Sequence, residues 1–139
     1  MARKTEEKRF PKALACGMLR DGKRVLFLVR KDARGAERLE LPCTEIFGAE
    51  DAVSKLASEF MRQAGIDAEV LEMEAEKRYN AGSRRRREWV PCLVFGMRAK
   101  SARAAPAPEF CGFRWLGIED AKKAKLGRKA EWLATEKRF

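Results

Sequence analysis

The chain has 139 residues, enough for one domain whose core needs neither metal nor disulfides. Its 31 Lys and Arg against 21 Asp and Glu give a net charge of +10, and histidine is absent. The missing histidine excludes Ser–His and Cys–His nucleophile pairs, imidazole acid/base chemistry and His-containing zinc sites, while the positive balance favours a phosphate-bearing partner. Four cysteines, Cys16, Cys43, Cys92 and Cys111, stand apart with no Cys-x-x-Cys pair, so a zinc site is not expected and a reduced, cytoplasmic setting is. The start, MARKTEEKRFPK, is charged, and the apolar run after it is too short for a signal or membrane helix.

In chain order, residues 1–12 read as a polar N-terminal arm and residues 13–139 as one domain. A small apolar run at 13–19, the Asp21-Gly22 turn and the strongly apolar 25–29 form a hairpin. A charged loop follows at 30–38, with Gly35 inside it. Residues 39–41 make a brief strand that Pro42 stops, and a tight loop leads to a helix of about four turns. In that helix Val53, Leu56, Ala57, Phe60 and Ala64 recur at helical spacing and mark a buried stripe, with Glu59 and Gln63 together on its flank. Glu50 and Asp51 suit the positive end of the helix, and Gly65 suits a left-handed cap.

Beyond the helix, residues 68–78 alternate Val70, Glu72, Glu74 and Glu76 with Leu71, Met73 and Ala75, as in a half-exposed strand with one acidic and one apolar face. Residues 79–87 are a loop. Residues 89–97 are apolar at nearly every position and read as a central strand, with Pro91 predicting a bulge or an edge there. Residues 101–108 form an extended connection, 110–116 another strand, and 118–125 and 128–139 two short helices, the last with Ala130, Leu133 and Ala134 on its apolar side. This mixed order suits one sheet covered by helices on both faces.

The basic residues concentrate in one stretch. From 77 to 103 there are nine, including Lys77, Arg78, Arg84, Arg85, Arg86 and Arg87, against the single acid Glu88. Arginine forks match phosphate oxygens, and Tyr79 and Trp89 lie close by as stacking surfaces. Two readings stand side by side: a site for RNA, DNA or nucleotide phosphates, or a solvated loop that meets the acidic face at Glu72, Glu74 and Glu76. Arg30 and Lys31 are further candidates for a nucleotide pocket.

The segment around the helix resembles the signature of the Nudix superfamily, G-x5-E-x7-R-E-U-x-E-E-x-G-U, where U is a bulky aliphatic. Gly65 and Ile66 match its end, Phe60 its inner bulky position, Glu50 its first glutamate and Glu59 the first of its catalytic cluster, without insertion. RVLFLVRK, LPCT and FRWLGIEDAKKAKL are similar to the family's flanking segments and follow in the same order. The resemblance implies a Nudix-like α/β/α sandwich with a mixed β-sheet. It also implies hydrolysis of a nucleoside diphosphate linked to another moiety, with magnesium or manganese held by carboxylates one helical turn apart. On that basis Glu59 is the candidate catalytic residue and metal ligand, Glu50 a loop-positioning residue, and the Cys43 carbonyl a further metal ligand; a homodimer is common in the family.

The departures point elsewhere. Thr44 and Cys43 replace glycines, Ser58 the arginine, and Arg62 and Gln63 the last two glutamates. Gln63 offers only a neutral amide, Arg62 repels a divalent cation, and the spacing allows a Glu59–Arg62 pair. The reading is a Nudix-fold module with a degraded box, non-catalytic or weakly active, that binds nucleic acid or nucleotide phosphates through its basic loop. The alternative is a metal-dependent Nudix hydrolase.

Overall fold

The structure, a computed structural model, describes residues 10–100 and 103–136. Most of the expected polar arm therefore lies outside the described residues, as do positions 101–102 and 137–139. Seven strands and three helical segments follow in the order β1 (Ala13–Asp21), β2 (Arg24–Lys31), β3 (Glu37–Glu40), β4 (Cys43–Ile46), α1 (Ala52–Ala64), β5 (Ala68–Asn80), β6 (Trp89–Ala99), β7 (Gly112–Gly117), α2 (Ile118–Lys123) and a 3-10 helix (Arg128–Thr135).

The central strand β1 divides its partners. Residues Ala13 to Cys16 pair antiparallel with β4, Leu14 to Leu19 pair parallel with β6, and Arg20 and Asp21 turn into the hairpin with β2. β2 carries β3 on one edge and β7 on the other, and β5 closes the far edge against β6. The sheet is mixed. Its two faces feed separate cores: Ala15, Leu19, Leu26 and Leu28 pack with Leu56 and Phe60 of α1, while Leu14, Met18, Val25 and Phe27 pack with Ala121, Ala130 and Leu133 of the C-terminal helices. Period-two alternation with both faces buried explains why β1 and β2 read as continuous apolar runs. This is the expected α/β/α sandwich, with a thin second helical layer.

Four local expectations are corrected. The tight loop after Pro42 contains a strand, β4, whose four residues are too few for periodicity to mark. The buried stripe of α1 is Leu56, Phe60, Gln63 and Ala64, and Val53 is 44% exposed. The helix is thus rolled toward Gln63, a polar residue that the apolar pattern could not count as core. Leu71 and Met73, the expected apolar face of β5, are exposed because β5 is an edge strand with register irregularities between Val70 and Ala75. At Pro91, which pairs with Arg78, the expected edge is present, because the parallel pairing of β6 with β1 begins only at Cys92, and the alternative bulge is not. Ala134 is exposed as well. Among the described residues no helix is long and apolar enough to cross a membrane.

Candidate functional site

Helix α1 is fixed at both ends. The Asp51 carboxylate accepts from Ser54 N at 3.0 Å, and the Ser54 side chain, then this backbone bond, hold its carboxyl below the usual range. Glu50 accepts from Phe47 N at 2.7 Å and Lys55 Nζ at 2.9 Å, so it braces the preceding loop, and its carboxyl is lowered by those two donors. Gly65 caps the helix at φ 73°, donating to Met61 O, and a Cβ there would stand 2.6 Å from Ala105 O. That close approach lets residues 103–110 lie along the helix end, with Ala105 N donating to Ala64 O and Ala107 N to Gln63 O.

Glu59, Arg62 and Gln63 face a small pocket of about 210 Å³ shared with Arg30, Glu40 and Glu109. Buried Gln63 spans to β4: its Nε2 donates to the Cys43 carbonyl at 2.7 Å and to Glu59 Oε1 at 3.0 Å, while its Oε1 accepts from Cys43 N at 3.2 Å. Arg62 donates through Nε to the same Glu59 oxygen at 3.0 Å and through its terminal nitrogens to Glu109 at 2.9 and 3.4 Å. Bonds to Glu109, then Glu59, raise the guanidinium pKa further, and Arg62 in turn lowers that of Glu109. The expected Glu59–Arg62 pair is thus present. Divalent metals need oxygens with lone pairs free to converge on the ion. Here the Glu59 oxygen and the Cys43 carbonyl already accept N–H donors, and a guanidinium stands between the carboxylates. The side chains as arranged do not fit a resident magnesium or manganese ion. Among the described residues there is no group of three His, Cys, Asp or Glu that could hold one.

Beside this pocket, sharing Arg30 and Glu40 as a wall, lies a basin of about 900 Å³ between β2, β3, the end of β5, the 81–88 loop and the 3-10 helix. Six arginines line it: Arg30, Arg38, Arg78, Arg84, Arg87 and Arg128. Arg30 pairs with Glu40 at 3.1 Å and lies over the Phe110 ring, and Arg38 pairs with Asp32 at 3.0 Å. Arg38 also holds the Asp32 carboxyl below its usual range. Arg78 stacks on Trp89 at 4.5 Å. Among the described residues, Arg78, Arg84, Arg87 and Arg128 form no salt bridge.

The arginine loop is held by hydrogen bonds from side chains to its backbone. Asn80 Oδ1 accepts from Gly82 N at 3.0 Å and Glu88 N at 2.9 Å, Ser83 Oγ accepts from Arg86 N, and Arg128 donates to the carbonyls of Asn80 and Gly82. On the opposite wall, Gly127 abuts Glu40, where a Cβ would meet Cγ at 2.9 Å. Tyr79 donates to Glu45 at 3.0 Å, and burial, then Glu45, pushes its phenol pKa upward, so it stays a donor.

Of the residues singled out from the sequence, the fold brings Arg30, Arg78, Arg84 and Arg87 to one basin and places Glu59 in the adjoining pocket. Lys77, Arg85 and Arg86 do not line the basin: Lys77 pairs with Glu136, and Arg85 and Arg86 are exposed. The acidic face of β5 sends Glu74 to Arg20 at 2.7 Å rather than to the basic loop. Sequence reading missed Arg38, Arg128 and Trp132. Arg128 and Trp132 follow Gly127 four residues apart, and the bridge of Leu39 to Leu126 is among the contacts that bring that segment to the site.

Neither a protein-family model nor a curated protein sequence matches the chain. Solved structures do. A MutT Nudix hydrolase from Burkholderia pseudomallei superposes with a TM-score of 0.70 at 17% identity, over 93% of this chain and 100% of that one. A MutT protein from Methanosarcina mazei Go1 gives 0.70 at 16% identity, over 92% and 94%. An ADP-ribose pyrophosphatase from Streptococcus suis 89-1591 gives 0.65 at 18% identity, over 89% and 87%.

Proposed function

We propose that this Nudix-fold chain binds nucleotide phosphates, free or within a single-stranded nucleic acid, in the arginine basin, with turnover absent or weak. The observation that carries the reading is the set of four basin arginines, Arg78, Arg84, Arg87 and Arg128, that no carboxylate neutralises among the described residues. A volume of about 900 Å³ falls within the range of ordinary small-ligand pockets and accommodates a nucleotide. Trp89 offers a ring for a base, and the arginine forks suit phosphate oxygens.

The test is fluorescence anisotropy with a labelled mononucleotide and a labelled short single strand. R84A/R87A should weaken binding by tenfold or more, and for the strand log K should fall with log salt at a slope of about −3 for four phosphate contacts. Binding unchanged in that variant, or none at low salt, removes the reading. Comparable affinity for both probes identifies a free nucleotide as sufficient; a clear preference for the strand identifies a nucleic acid.

The names of the neighbouring structures and the preserved spacing of Glu59 favour a second reading, metal-dependent hydrolysis of a nucleoside diphosphate-linked substrate with Glu59 as catalytic residue and metal ligand. It requires Arg62 and Gln63 to leave Glu59. Phosphate release from a nucleotide panel with magnesium or manganese, lost in E59Q, would establish it.

A further inference from the structure

We propose that the pocket beneath α1 is bridged by a cation of this chain's own, the Arg62 guanidinium, and takes up no divalent metal. The inference goes beyond the phosphate reading and does not depend on what fills the basin.

Its basis is the direction of the polar bonds that Glu59, Arg62, Gln63, Cys43 and Glu109 make with one another. Glu59 Oε1 accepts two donors at 3.0 Å, one from Arg62 and one from Gln63. The Cys43 carbonyl accepts Gln63 Nε2 at 2.7 Å, and the Gln63 oxygen accepts from Cys43 N. Glu109, which reaches the site from the 103–110 segment, accepts from the other edge of the same guanidinium at 2.9 Å. One planar cation thus bridges two carboxylates by different edges, a geometry that a guanidinium provides and an ammonium does not. Gln63 makes the arrangement specific. Its amide presents a donor to Glu59 and the Cys43 carbonyl, where a carboxylate would leave oxygens facing oxygens. An incoming ion would have to displace the amide from two partners and stand beside a fixed positive charge.

The segments so joined are those that form the pocket. Arg62 ties α1 to Glu109, and Gln63 ties α1 to β4 at Cys43. The bridge that metal–carboxylate bonds would make is made by side chains of this chain.

The experiment measures the six-line electron paramagnetic resonance signal of free Mn²⁺ titrated with the full chain, with E59Q, and with R62E/Q63E, which returns two carboxylates to α1. Wild type should leave the signal at the level seen with E59Q, and folded R62E/Q63E should gain at least about tenfold in Mn²⁺ affinity, the scale on which metal sites respond to their surroundings. Wild-type binding that E59Q abolishes overturns the proposal. So does R62E/Q63E that is folded by circular dichroism yet binds Mn²⁺ no better than wild type. Should R62E/Q63E not fold, R62E/Q63A replaces it, removing the guanidinium and the amide together while setting a second carboxylate on α1: a gain over wild type supports the proposal, and equal binding overturns it.

Discussion

The pocket beneath α1 and the basin beside the arginine loop share Arg30 and Glu40, but they treat charge in opposite ways. In the pocket, Glu40, Glu45, Glu59 and Glu109 each accept a hydrogen bond from Arg30, Tyr79, Arg62 or Gln63. In the basin, four arginines meet no carboxylate among the described residues. A group already bonded within the protein must be stripped of its partner before it can serve a ligand, whereas the exposed Arg84 and Arg87 have only water to lose; Arg78 on the Trp89 ring and Arg128 on two backbone carbonyls keep their charge unneutralised. On the proposed reading, this contrast gives structural work to the pocket and ligand binding to the basin.

The comparison can be broken first at Gln63. Gln63→Glu turns two donated bonds into oxygen facing oxygen at a buried position and should cost about 2–3 kcal/mol of stability, read as a lower urea midpoint at unchanged m-value. An unchanged midpoint would show that the pocket is not self-satisfied in the way described. Arg62→Met probes the bridge. With the Arg62 side chain 51% exposed, solvent screening limits its effect to at most about 1 kcal/mol, a small fall in melting temperature. A larger loss would mean that the clamp also sets the helix position.

The smallest effect sharpens the same point through pH. Arg62 lowers the folded-state pKa of Glu109, so the stability this pair contributes is present above the ordinary carboxylate value of 4.5 and is lost as pH falls through the lower folded value. Wild type should therefore lose slightly more stability on the acid side than Arg62→Met does. Parallel acid limbs in denaturant titrations would contradict the pairing.

The fold was legible because β1, β2 and β6 are apolar on both faces and because α1 carries both its caps. What the periodicity could not convey was the roll of α1. An apolar count assigns Val53 to the core and Gln63 to the flank, and the hydrogen bonds of Gln63 to Cys43 reverse that. The Glu59–Arg62 pair was readable from i, i+3 spacing alone, whereas Glu109 comes from 47 residues further along the chain. The basin was half visible: the run Arg84 to Arg87 announces itself, but only two of its four members line the cavity. Arg38 and Arg128 come from segments joined by the Leu39–Leu126 bridge, a contact no local pattern encodes.

The central claim, phosphate binding by the arginine basin without help from a metal, is tested most directly by one titration in two buffers. Anisotropy of the higher-affinity probe should give the same dissociation constant in EDTA and in millimolar Mg²⁺ at matched ionic strength, with R84A/R87A weakening both equally. Binding that appears only with Mg²⁺ and disappears in E59Q would contradict the account and return the site to metal-dependent chemistry.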